Sequence, residues 1–330
     1  MLYERLVKGG TLSQPKGVPD PAFALQSTVS WMAALALLSR DITFSLASTF
    51  YASVSSRAFL PPEENTIFAQ LVFAAHQVSA IRALNFSPRK ADVARVGIVT
   101  WYYGVYSAAQ AMVTAQSGAC PDNHGSAANA WDRQIAAQRL AMRPFEMRLS
   151  TIEERPAAAE VTSLRGSSPG DLNSLPHTAA HALGACCAYL SGSAAWYREK
   201  TQHSLRKDRE FKALHVSDFR TKKARELRDS HFAGKSVGFL HQAYRYRGKA
   251  NYREALFLGC GSSVEVLVRD HVTNLDSVLT AFVTMAGAFV SRRLGAKLWD
   301  EFVSDLERTK AFTFSPRSIW PTIENVPLAS

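Results

Sequence analysis

The most unusual stretch of this sequence is Tyr244-Arg-Tyr-Arg-Gly-Lys-Ala-Asn-Tyr-Arg253, which holds four cations and three tyrosines in ten residues. On a helix, Arg245, Lys249 and Arg253 recur at intervals of four and share a face, and Tyr244 and Tyr252 share a neighbouring one. Cations beside flat rings suit a phosphate backbone whose bases need something to stack on. A planar guanidinium can also donate two hydrogen bonds to one phosphate. Tyr244, Arg245, Tyr246, Arg247, Lys249, Tyr252 and Arg253 are therefore the candidate nucleic-acid-binding residues. The competing expectation is that the tyrosines pack inward and the cations are solvated. Upstream, Arg220-Thr-Lys-Lys-Ala-Arg-Glu-Leu-Arg228 is a second basic cluster. Its arginines spread around a helix instead of lining one face, as in a solvated helix or a surface that touches phosphate without reading sequence.

Other local patterns carry less chemistry. His177 and His181 lie one helical turn apart, a spacing that can bind metal. No acid falls between them, and Cys186-Cys187 does not complete a ligand face, so packed or capping histidines and no metal site are expected. Gly259-Cys-Gly-Ser-Ser263 is glycine-rich but follows a helical pattern where a phosphate-binding loop would follow a strand. No cofactor is expected.

The 330 residues carry a net charge of +10. Between Arg198 and Arg253 there are sixteen Lys or Arg and six Asp or Glu, so this one segment accounts for all of it. Charge confined in this way points to an anionic partner, nucleic acid before anionic lipid. Four cysteines, two of them adjacent, form no disulfide framework and fit buried thiols in a reducing compartment. The start of the chain lacks the apolar core of a signal peptide. Trp31 to Leu38, read as the most apolar stretch, is too short to span a bilayer. These features predict a soluble, cytoplasmic protein without a transmembrane segment.

The elements that must position these residues are helical. Apolar spacing of three and four begins at Pro21, and Pro61-Pro62-Glu63-Glu64 predicts a helix start, with proline in the first turn and acids at the positive end of the dipole. That helix runs to about Leu84. The next runs from Pro88 to Gln116 and is capped by Gly118. Helices are also predicted over Ser126–Leu140, after Pro144, from Pro176 through Trp196, over Phe219–Asp229, Val237–Leu258 and Leu275–Leu306. No sustained alternation of apolar and polar residues predicts a sheet. The expected class is an all-α multi-helix bundle. The expected organisation is a loose arm at 1–20, an N-terminal bundle at 21–155, a linker at 156–175, a basic helical region at 176–311 and an irregular tail at 312–330.

The run Trp101-Tyr-Tyr-Gly-Val-Tyr-Ser-Ala-Ala-Gln-Ala-Met112, the break at Gly118 and the entry of His124-Gly125 into the next helix resemble the HEPN superfamily of helical bundles. Arg247-Gly-Lys-Ala-Asn-Tyr-Arg253 is similar to the Arg-rich, Tyr-containing helix late in such domains. The resemblance covers about a third of the chain. It implies RNA association and, in the defence and toxin members, metal-independent endoribonuclease chemistry. There a histidine acts as acid or base, and an arginine four to six intervening residues before it holds the phosphate. Arg198–His203, Arg209–His215 and Arg225–His231 have that spacing, and Arg198 with His203 is the favoured catalytic pair. Their followers, Glu199, Glu210 and Glu226, depart from the Asn-like residue usual in the family. The expected function is an RNA-binding helical protein with possible ribonuclease activity. The alternative is a non-enzymatic assembly protein that pairs with itself or with another protein.

Overall fold

A computed structural model describes residues 21–251 and 264–323. The expected arm at 1–20, Tyr252, Arg253, the glycine-rich Gly259–Ser263 and the end of the tail lie outside the described residues. The protein is an all-α multi-helix bundle. The first half contains α1 (Pro21–Ser39), α2 (Phe44–Phe50), α3 (Pro61–Leu84), α4 (Lys90–Ser117), α5 (His124–Trp131) and α6 (Glu154–Arg165). The second half contains α7 (Ala179–Leu205), α8 (Arg209–Ala213), α9 (Lys222–Ala233), α10 (Phe239–Asn251), α11 (Val264–Val268), α12 (His271–Leu294) and α13 (Ala296–Arg308). Among the described residues no strand forms, and Leu149 and Val237 make a single antiparallel bridge.

Local signals explain the longest elements. At the start of α3 the Glu63 carboxylate reaches back to accept from the Leu60 amide at 2.9 Å, satisfying one of the free amides ahead of Pro61 and Pro62. α4 ends where Gly118 turns to φ +79°, a conformation that costs any residue with a Cβ. Gly104, in the middle of α4, is needed for close approach: a Cβ there would meet Leu279 of α12 at 2.7 Å.

The core is continuous from Leu25 to Trp320. At its centre Trp31 of α1 stacks on Tyr189 of α7 (4.0 Å between centroids) and touches Tyr246 of α10 (4.8 Å) and Trp101 of α4 (6.0 Å). A neighbouring cluster surrounds α12, where Phe282 meets Trp131 and Phe145, and Phe289 meets Tyr51. α12 packs on α4, α1 and α3, and α1 packs on α7, so helices from either side of the expected division share one interior. The segment expected as a linker opens with α6, which packs on α7. No helix follows Pro144. The helix that begins at α5 passes at Asp132–Ala136 into a π-helical turn.

Among the described residues two helical runs have the length and hydropathy of a membrane span, α3 and Val264–Leu294, and Leu25–Ser39 with Phe44–Phe50 passes as a pair bent by 75°. Trp31–Leu38, too short alone, lies within that bent pair. Within the fold, 72% of the Val264–Leu294 window and 33% of the α3 window is buried against protein.

Candidate anion-binding cleft and tyrosine cage

Two features lie side by side where α4, α5, α7 and α10 converge, and Tyr244 belongs to both. The first is a cage around His124. Tyr102, Tyr103 and Tyr106 come from one stretch of α4. His124 is the first residue of α5, fixed by Asn123, whose side chain caps the helix by accepting from the Ser126 amide at 2.9 Å. The His124 ring packs on Tyr106 (4.8 Å), Tyr102 (5.3 Å) and Tyr244 (5.6 Å). Arg247, one turn beyond Tyr244 on α10, enters the same group. Its Nη1 donates to the Tyr103 hydroxyl and to His124 Nε2, both at 3.2 Å. A guanidinium only donates, so Nε2 accepts. Nδ1 therefore carries the proton and donates to the Tyr102 hydroxyl at 2.9 Å. Burial and the neighbouring Arg247 charge hold His124 below the usual imidazole range.

Arg247 has no carboxylate partner among the described residues. Its charge is instead held against the rings of Tyr102 (5.0 Å), Tyr244 (5.3 Å) and Tyr103 (5.8 Å). Its Nε is buried without a hydrogen-bond partner.

The second feature is a cleft of about 520 Å³. Its cations are Arg133, Lys200 and Lys235, and its aromatic walls are Tyr197 and Tyr244. No carboxylate lines it among the described residues. Lys200 Nζ lies 5.0 Å from the Trp196 ring and 5.7 Å from the Tyr244 ring. Lys235 Nζ donates to Thr201 Oγ1 at 3.1 Å. Burial, and then the Lys200 charge, lower the affinity of the Lys235 amine for its proton. His241 lines the floor. Its Nδ1 accepts from the Gly238 amide (3.2 Å), so Nε2–H donates to Asn129 Oδ1 (3.1 Å). Burial pushes its pKa down to about 4, and the imidazole is neutral.

The wall that carries Arg133 is set by a buried ion pair. Asp132, fully buried on the π-helical turn, accepts from Arg148 through both oxygens, Nε to Oδ1 at 3.0 Å and Nη2 to Oδ2 at 2.7 Å. These hydrogen bonds raise the proton affinity of Arg148 further.

The residues expected from sequence divide. Tyr244 lines the cleft and Arg247 enters the cage. Arg245 and Lys249 share a face as expected, but that face looks at α7. Arg245 Nη1 donates to Ser193 Oγ at 3.1 Å, and both cations lie 5.4 Å from the Tyr189 ring. Tyr246 is a core residue, not a contact residue: it is fully buried, and its hydroxyl donates to the Thr28 carbonyl at 3.0 Å. Arg198 and His203 do not meet as a pair. Both lie on α7, where five positions turn through about 140°. Arg198 donates to the Ile152 carbonyl at 3.1 Å, whereas His203 is exposed. The Arg–His contact that the fold does make, Arg247 with His124, joins residues 123 positions apart. His124, Lys200, Lys235 and Arg133 were not singled out by spacing. The one local signal was the run of tyrosines on α4 followed by His124-Gly125.

No protein-family model matches the chain, and neither a curated protein nor a solved structure matches it.

Proposed function

We propose that this protein binds nucleic acid, RNA in the first place, through the cleft and the adjoining cage. The observation that carries this is a cleft with three cations, two tyrosine walls and no lining carboxylate among the described residues. Unpaired cations attract phosphates, and the rings of Tyr197 and Tyr244 give bases a surface to stack on. The choice of RNA rests on the HEPN resemblance of the α4–α5 region and of Arg247 to the residues after it. Binding, not cleavage, is proposed, because His124 and His241 each commit both ring nitrogens within the protein.

Fluorescence anisotropy with a labelled single-stranded RNA at several salt concentrations tests the proposal. Lys200→Glu combined with Lys235→Glu should weaken binding by about tenfold or more. It should also reduce the slope of log affinity against log salt by about 1.4, since each phosphate contact contributes ~0.7. An unchanged affinity and slope would refute it.

A second reading, a helical assembly protein, is favoured by three exposed apolar side chains along α3 and at its ends. Leu60 and Phe73 on and before α3, and Phe86 just after it, are 67%, 54% and 88% exposed. Light scattering would show self-association that Phe73→Asp abolishes. A monomer at every concentration, with no partner recovered, would count against it.

A further inference from the structure

The most basic part of the chain outside the cleft is the excursion between α7 and α10. Residues 206–231 contain nine Lys or Arg and five Asp or Glu. They fold on a small interior of their own, built from Phe211, Phe219 and Ala224 with Leu205 of α7, separate from the main core. Phe211 and Phe219 meet at 4.7 Å, and Arg206 lies 5.5 Å from the Phe219 ring. The unit is tied to the body at its two stems. Lys200, Thr201 and Ser204 lead in along the end of α7, and Gly234, Lys235 and Ser236 lead out. All six stem residues line the cleft, and the Lys235–Thr201 bond joins one stem to the other. Phe232 anchors the exit in the main core.

Some of the cations in this unit are matched. Arg220 pairs with Asp218 (3.2 Å), Lys222 with Glu226 (3.9 Å) and Arg228 with Asp229 (2.7 Å). Asp208 is used as the cap of α8. Lys207, Arg209, Lys212, Lys223 and Arg225 are exposed and have no carboxylate partner among the described residues. A unit with its own small core, its unspent cations facing solvent and both stems in the cleft wall places a second positive surface next to the first.

We infer that residues 206–231 form a clasp that grips the backbone of a polyanionic strand where it leaves the cleft. This rests on the proposed nucleic-acid cleft and extends it: the cleft holds one short stretch of the strand, and the clasp neutralises the phosphates beyond it. The contacts are ionic and made by flexible side chains, so the clasp adds affinity and salt dependence without sequence preference.

The test is the triple variant Lys207→Glu, Lys212→Glu, Lys223→Glu in the full chain, whose exposed positions leave the core intact; a thermal melt checks folding. Two probes are used, a labelled oligouridylate long enough to leave the cleft at both ends and a uridine dinucleotide that does not. The expected result is about a tenfold or greater loss for the long strand, a salt slope lower by about 2, and unchanged dinucleotide binding. If the long strand binds the variant with unchanged affinity and slope while Lys200→Glu with Lys235→Glu still weakens it, the clasp is wrong and the cleft stands. If neither probe binds the wild-type protein, the cleft and the clasp both fall. If the triple variant keeps its RNA affinity but loses binding to phosphatidylserine vesicles, the surface belongs to a membrane and the inference is overturned.

Discussion

Replacing Arg148 by alanine tests whether the buried Asp132 pair sets the wall of the cleft. Asp132 is fully buried and receives both of its strong bonds from Arg148. Removing the guanidinium strands a carboxylate in the interior, a change that costs ~3–5 kcal/mol. The Arg148 side chain is 26% exposed, so water can enter the vacated space and the lower figure, ~3 kcal/mol, applies. Unfolding entropy of ~2.1 cal/mol/K per residue over 330 residues gives ~0.7 kcal/mol/K. The expected fall in melting temperature is therefore ~4 °C, measured by calorimetry near neutral pH. Adding Asp132→Asn to Arg148→Ala should return part of this loss, because a buried amide costs less than a buried carboxylate. The pair would then be non-additive, as contacting residues are. Because Arg133 follows Asp132 directly, Arg148→Ala should also weaken RNA binding. A fall below ~1 °C, or strict additivity of the two substitutions, would refute this account of the pair.

Further predictions concern acid stability, the core tyrosine and the thiols. His241 and His271 are buried with pKa values pushed down to about 4, against ~6.5 in the unfolded chain. The unfolded state binds more protons between these values, so stability is full above pH ~6.5 and falls as the pH drops toward 4, by an amount on the order of 3 kcal/mol for each group. Urea titrations across that range should show the loss, and His271→Leu should remove about half of the pH dependence; a pH-independent stability would contradict it. Tyr246→Phe should cost ~1 kcal/mol by removing the buried hydrogen bond from its hydroxyl to the Thr28 carbonyl, and it should leave RNA affinity unchanged. A thiol reagent should modify exposed Cys120 in the native protein and spare buried Cys186 and Cys187, whose thiols burial also holds in the protonated form. Labelling followed by mass spectrometry of the peptides decides it.

The elements were legible in the sequence where short-range chemistry sets them. Pro61-Pro62-Glu63 starts α3 and Gly118 ends α4, because a cap and a left-handed glycine depend on neighbouring residues only. The end of α5 was not legible, because the π-helical turn at Asp132 is stabilised by Arg148 and abuts Gly238, partners distant in sequence. The site was half legible for the same reason. Composition located Tyr244 and Arg247, but the partners that give them a setting come from α4, α5 and α7. The helical period correctly put Arg245 and Lys249 on one face, yet it could not say that this face meets Tyr189. Nor could it show that Tyr246, two positions after Tyr244, turns into the core.

What separates the cations of this protein is whether their charge is spent. Arg148 is consumed by Asp132, and Arg220, Lys222 and Arg228 each have a carboxylate at hand. An arginine neutralised in this way holds structure together but has little left for an external anion. Arg247 is held by a different device. Ring faces attract a cation through their quadrupole and contribute ~0.5–2 kcal/mol each without cancelling its charge. Tyr102, Tyr103 and Tyr244 can therefore fix the guanidinium in place and still leave it positive. A carboxylate at the same point would have fixed it more tightly and cancelled its charge. Lys200, placed against Trp196 and Tyr244, follows the same rule. On this criterion the segment from Arg198 to Arg253 is not one uniform basic surface. It holds cations with a carboxylate beside them, cations held against ring faces beside the cleft, and the solvent-facing cations of residues 206–231.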